Sequence, residues 1–298
     1  MKILVAVDEN AYSAYAVDEA ARLARNTLAN VTLLGVSAGT DSSEPRRGNR
    51  SGPWGRNHPL TSALHNYRES FLAQFGGDDS PYAMTQFGYE LIEVRKGVWE
   101  LLRVCRGAKK EFKTRMRSGA PVKQILAECE EEEADLIVLG CSADKMGGWE
   151  NDASVPQKIA NDAPCSVLVA KEEKRSNKVV CCLDQNTTSQ ESLEMINQMV
   201  TIHDADLEIV GITEADGGLR IEVDRKMNSI LKYYRDRQID PFVKLVPLTS
   251  LESFVAEESR QGLVALWVGE KSILAKVFPR TKVNRLIKAS GSSVLMLR

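Results

Sequence analysis

Two features of the sequence carry residue types suited to holding a ligand, the first of them an anion. The first is the stretch from Gly140 to Ser154, GCSADKMGGWENDAS, which joins an apolar run to an amphipathic segment beginning near Val155. A strand that ends in glycine, a polar loop and a helix N-terminus would direct backbone N–H groups and a helix dipole toward a phosphate. The second is Asp8, at the end of the apolar run Ile3 to Val7. Its carboxylate could face a ligand or cap the turn and helix that follow, and the residues leave both open.

Other chemistries find no support in the residue pattern. The chain has no GxxxxGK[ST] loop, no GxSxG elbow and no HExxH pair, so no catalytic residue is assigned and specific metabolic catalysis is not expected. His58, His65 and His203 lack ligand spacing, and no metal site is expected. The cysteines Cys105, Cys129, Cys141, Cys165, Cys181 and Cys182 form no CxxC pair and read as reduced, small core hydrophobes.

Composition narrows the class further. A 298-residue chain with 43% hydrophobic and 27% charged residues reads as a globular protein of about two domains. A net charge of −2 supplies no global field toward nucleic acid or an anionic membrane. The opening MKILVAVDEN is too short in apolar residues for a signal core or a membrane span, so the expected location is the cytoplasm.

The elements that must position Asp8 and the Gly140 loop occur twice. Lys2-Ile-Leu-Val-Ala-Val-Asp8 lines up with Lys178-Val-Val-Cys-Cys-Leu-Asp184, and the same offset pairs Ser13 with Ser189 and Gly35 with Gly211. Further on, Leu136 to Gly140 matches Ala265 to Gly269, and Ser166 to Val169 matches Ser293 to Met296. The expected domains are 1–174, carrying an insertion at about 40–115, and a shorter 177–298. The charged stretch Lys171 to Asn177 divides them.

Ile3 to Val7, Val31 to Val36, Leu136 to Leu139 and Val167 to Ala170 are unbroken apolar runs, as in strands buried on both faces. Between them, Ala14 to Leu28 groups Val17, Ala20, Ala21, Ala24 and Leu28 on one side, with Asp18, Glu19, Arg22 and Arg25 facing elsewhere. Val122 to Glu131 keeps Ile125, Leu126 and Cys129 together. Strands alternating with helices give the expected fold class, α/β: two tandem open parallel sheets with helices on both faces. Ligands collect at the carboxyl ends of such strands. Within the insertion, Asp41 to Leu60 reads as a basic loop carrying Arg46, Arg47, Arg50 and Arg56. Thr61 to Phe75 and Tyr89 to Cys105 read as helices, the latter weakened by Gly97.

The opening Val5 to Asp8 with Ser13, the strand Ala134 to Gly140 and the ending Ala163-Pro-Cys-Ser-Val-Leu-Val169 resemble the universal stress protein family, in its tandem two-domain form. The resemblance implies open five-stranded sheets of the adenine nucleotide α-hydrolase-like, Rossmann-like kind. It also implies a stress-response regulator binding ATP or another adenine nucleotide, with or without magnesium. Carried over by position, Asp8 and the backbone at Val7 and Val36 would face the nucleoside. Gly140, Ala143, Ala153, Ser154 and Val155 would line the phosphates, and Leu139 and Lys145 complete the set. Slow ATP hydrolysis stays open.

The sequence departs from the family's glycines at Ala143 and Ala153, and Asp144, Glu150 and Asp152 outnumber Lys145 in the loop. One extra like charge at about 4 Å costs on the order of 4 kcal/mol unscreened, comparable to much of a micromolar affinity, so weak or degenerate binding is expected. In the second copy Gly269, Ser272, Arg280 and Thr281 occupy a shortened loop. The alternative is a stress or scaffold protein that binds no nucleotide and acts through protein partners. The family also implies an internal pairing of the two domains, which would cover the apolar last strands; a further homodimer is left open.

Overall fold

β-branched residues and leucine dominate the strand runs because both faces of the sheet are covered by helices. In the computed structural model the first part of the chain forms β1 (Lys2–Val7), α1 (Ser13–Thr27), β2 (Asn30–Ser37), α2 (Pro59–Ala73), β3 (Gln86–Arg95), β4 (Val98–Arg106), β5 (Phe112–Ser118), α3 (Pro121–Glu132), β6 (Leu136–Gly140), α4 (Val155–Asp162) and β7 (Ser166–Ala170). The second part forms β8 (Lys178–Cys182), α5 (Gln190–His203), β9 (Asp206–Thr213), α6 (Ile221–Arg235), β10 (Phe242–Pro247), α7 (Leu251–Glu258), β11 (Leu263–Trp267), α8 (Ile273–Val277), α9 (Arg280–Ala289) and β12 (Val294–Leu297). The structure describes residues 1–37, 59–76, 80–82, 86–95, 98–106, 110–141, 149, 154–171, 176–183, 188–213, 221–268 and 272–298, with backbone alone for β3, β4, residues 221–224 and residue 273.

The strands of each half share one spatial order, β5-β2-β1-β6-β7 in the first and β10-β9-β8-β11-β12 in the second. Pairing within each half is parallel. The two sheets do not stay apart. β7 and β12 pair antiparallel, Leu168 opposite Leu295, and merge them into one ten-stranded sheet. This junction removes two apolar edges that would otherwise template pairing with other chains. The same relation brings α1 onto α5 and α4 onto α9, so equivalent elements of the two halves meet at the seam.

The seam also explains two departures from helical periodicity. Glu19, expected to face away from the core, is 1% exposed because α5 covers that side of α1. Its Oε2 lies 3.4 Å from Nε2 of His203 and its Oε1 accepts from Arg22. Leu28, expected on the buried face, is exposed at the left-handed C-cap of α1.

The insertion needs one correction. Tyr89 to Cys105 is not a helix: β3 and β4 form an antiparallel ladder with Leu91 opposite Leu101 and Tyr89 opposite Arg103. Val, Ile, Tyr and Trp on either side of Gly97 favour a hairpin, and that preference outweighed the helix-like spacing of the leucines. α2 agrees with expectation, although it takes in Pro59 and Leu60 from the end of the expected loop. The four arginines of that loop lie outside the described residues.

Candidate functional site

β1 and β6 are neighbours whose crossovers leave in opposite directions, toward β2 and toward β7, so a crevice opens at their carboxyl ends. Asp8 and Gly140 sit at this switch point, and Val36 lies one residue from the end of the adjacent β2. The topology therefore brings together Val7, Asp8, Val36, Leu139 and Gly140. The side chains of Val7, Val36, Leu139 and Val155 are all buried in the core, leaving only their backbones to face a ligand. Ser154 is half-buried at the N-cap of α4. Ala143, Lys145 and Ala153 lie outside the described residues, as do Asp184 and Gly269.

Asp8 is 2% exposed and its carboxylate is saturated. Oδ1 accepts from the Asn10 backbone N–H at 3.0 Å and from Ser13 Oγ at 2.7 Å. Oδ2 accepts from Asn10 Nδ2 at 2.7 Å and from the Tyr12 hydroxyl. The Asp8 backbone N–H in turn donates to Ser13 Oγ at 3.0 Å, closing the turn that launches α1. An ionised carboxylate offers about four acceptor positions, and all are taken. A ligand donor must therefore displace one of these bonds.

Tyrosines wall the turn. Tyr12 is buried, and burial reinforced by its bond to Asp8 holds its phenol well above the ordinary value. Tyr67, reaching over from α2, donates to the Asn10 carbonyl at 2.8 Å and is also pushed up, by burial first and then by the Asp8 charge. Gly140 serves the same turn. A Cβ there would stand 2.1 Å from the Tyr12 carbonyl oxygen, so the absent side chain is the space the β1–α1 turn occupies. Gly35 likewise admits Leu60 and Leu64 of α2 against β2.

Tyr12, Asn10 and Tyr67 were missed by motif spacing, which looks past aromatic residues. The signal available for Tyr12 was its place four residues after Asp8. Trp149, in the middle of the polar loop, is also unexpected: it is 1% exposed and its Nε1 is buried without a hydrogen-bond partner.

The second half uses its equivalent residues differently. Ser272 Oγ accepts from Leu274 N–H and donates to the Trp267 carbonyl, each at 3.0 Å, which caps α8. Arg280 pairs with Asp162 at 3.0 Å across the seam, and Thr281 is exposed. Ser189 caps α5 by accepting from Ser192 N–H, whereas Ser13 binds Asp8.

The family model of the universal stress protein family matches residues 1–171. The chain belongs to the universal stress protein family. Among solved structures, a universal stress protein from Archaeoglobus fulgidus DSM 4304 is similar over 100% of this chain and 98% of its own, at 11% identity and a TM-score of 0.56. A functionally unknown protein from Pseudomonas aeruginosa PAO1 is similar over 99% of this chain and 92% of its own, at 14% identity and a TM-score of 0.54. A universal stress protein family protein from Arabidopsis thaliana, solved with AMP bound, covers 58% of this chain and 92% of its own at 16% identity, with a TM-score of 0.32. No curated protein matches the sequence. In this universal stress protein, no group of three or more His, Cys, Asp or Glu able to hold a metal occurs among the described residues, and no described helix is long and apolar enough to cross a membrane.

Proposed function

We propose that the protein is a cytoplasmic stress-response regulator of two domains, 1–174 and 177–298, whose first domain binds an adenine nucleotide weakly. The observation that carries this reading is Asp8 at the switch point of β1 and β6, the strand whose chain runs on to α4. Asp8 and the backbones of Val7 and Val36 would hold the nucleoside. Gly140, Ala143, Lys145, Ala153, Ser154 and the backbone at Leu139 and Val155 would line the phosphates, with magnesium offsetting Asp144, Glu150 and Asp152. The family match on residues 1–171 supports the assignment to this half. The second domain is the structural partner, since Ser272 and Arg280 are engaged elsewhere.

Weakness follows from the saturated carboxylate. A hydrogen bond to a charged group is worth about 1.5–3 kcal/mol net, so displacing Tyr12 or Asn10 would cost roughly one to two decades of affinity. Native mass spectrometry of the purified chain, with thermal shifts in millimolar ATP and magnesium, tests the proposal. Retained nucleotide or a magnesium-dependent shift supports it. A folded protein with neither defeats it. That outcome would favour the second reading, in which the saturated turn is purely structural and the protein acts through protein partners. That reading predicts that deleting Asp41 to His58 leaves folding intact and abolishes partner capture.

A further inference from the structure

At the end of the sheet opposite Asp8, two cysteines from different elements meet. Cys129, on α3, is 1% exposed, and Cys165 immediately precedes β7. Their sulfurs are 3.3 Å apart, a hydrogen-bonded thiol pair and about 1.3 Å longer than a disulfide bond of ~2.05 Å. Both positions are free thiols. Cys165 is half-buried and lines a cavity of about 960 Å³ between the halves, together with Met1, Asp135, Ser166, Ser192 and Arg298.

We propose that Cys129 and Cys165 form a dithiol that hydroperoxides oxidise reversibly to a disulfide, with Cys165 as the sulfur that meets the oxidant. The cavity admits a small peroxide to Cys165 and not to Cys129. The hydrogen bond to Cys129 and burial hold the Cys165 thiol well above its ordinary value, and the Arg298 guanidinium, fixed by the carbonyls of Ala160, Asn161 and Ala163, opposes that rise. The Cys165 S–H steadies a thiolate on Cys129, so the pair gives up its first proton more readily than an isolated buried thiol. Transfer of the remaining proton across the 3.3 Å contact to Cys129 puts the charge on Cys165, the sulfur that faces the cavity. By contrast, Cys181 and Cys182 are fully buried and burial pushes both thiols up.

The chemistry balances in two steps. The Cys165 thiolate attacks the peroxide, an S–O bond forms, the O–O bond breaks, and the departing alkoxide takes up the proton the thiol released. Cys129 then attacks the Cys165 sulfur, the S–S bond forms, the S–O bond breaks, and hydroxide leaves with the Cys129 proton as water. Two thiols and one hydroperoxide become one disulfide, one alcohol and one water. The bond joins α3 to the head of β7, the strand that carries the seam with β12.

The test treats the full-length protein with stoichiometric hydrogen peroxide, alkylates the remaining thiols, and maps peptides without reduction. The expected result is loss of two of the six alkylatable cysteines, a Cys129–Cys165 linked peptide, and full recovery with dithiothreitol. Cys129→Ala should leave Cys165 trapped as a dimedone-reactive sulfenic acid, while Cys165→Ala should leave Cys129 unreactive. Six retained thiols, a linkage between other cysteines, or a bond between two chains would each overturn the proposal. The wild-type map decides the matter even if a variant fails to fold.

Discussion

The Tyr12 hydroxyl donates to Oδ2 of Asp8, closing a buried turn in which the acidic residue at the end of β1 is satisfied by its own chain. The pairing joins the stability of the β1–α1 turn to the availability of the carboxylate.

Tyr12→Phe removes one donor and keeps the ring. The turn should lose about 1.5–3 kcal/mol, read as a lower urea midpoint, while Oδ2 becomes free for a ligand. If Asp8 reads a nucleoside, titration calorimetry should then show ATP affinity rising roughly ten- to a hundredfold. An affinity unchanged or lower would place Asp8 outside the binding site.

Gly140→Ala should be destabilising out of proportion to one methyl group. The new Cβ would collide with the Tyr12 carbonyl, which is backbone and cannot rotate away. Overpacking of this kind costs about 1–3 kcal/mol, measurable by chemical denaturation. A cost below about 0.5 kcal/mol would mean that the turn yields freely.

Acid should unfold the protein through its paired glutamates. The hydrogen bond from Lys113 holds Glu132 below its ordinary value of 4.5. A carboxylate with a depressed folded value stabilises above its unfolded value, and that contribution disappears as pH falls through the folded one. Urea midpoints should be flat from about pH 7 to 5 and fall below about pH 4.5. Glu132→Gln should shallow that fall, and an identical acid profile would remove Glu132 from the account.

Arg280→Ala should change little. Its pair with Asp162 is an exposed ion pair, worth about 0–1 kcal/mol, and ATP response should match the wild type. A lost ATP response in this variant would move the anion site to the second half.

Particular residues show how far the sequence is legible. The strands were readable because Val, Ile and Leu run unbroken where both faces are covered, and β1, β2, β6 and β7 lie where those runs are. Asp8 at the end of β1 and Gly140 at the end of β6 were legible from spacing alone. The hairpin of β3 and β4 was misread because a short apolar segment with leucines at helical intervals satisfies two periodicities, and Gly97 between β-branched residues was the better guide. Glu19 was misread because the helix pattern records one partner surface, whereas α1 has two.

The repeat, the alternation of strand and helix, the family resemblance and the residues at the strand ends were determined by sequence, since each depends on local pattern or fixed spacing. The merging of two sheets through β7 and β12, the engagement of Asp8 by Tyr12, and the approach of Cys129 to Cys165 were decided by tertiary structure alone. Each depends on distances between side chains on separate elements or across a turn, and hydrophobic periodicity contains no such distance.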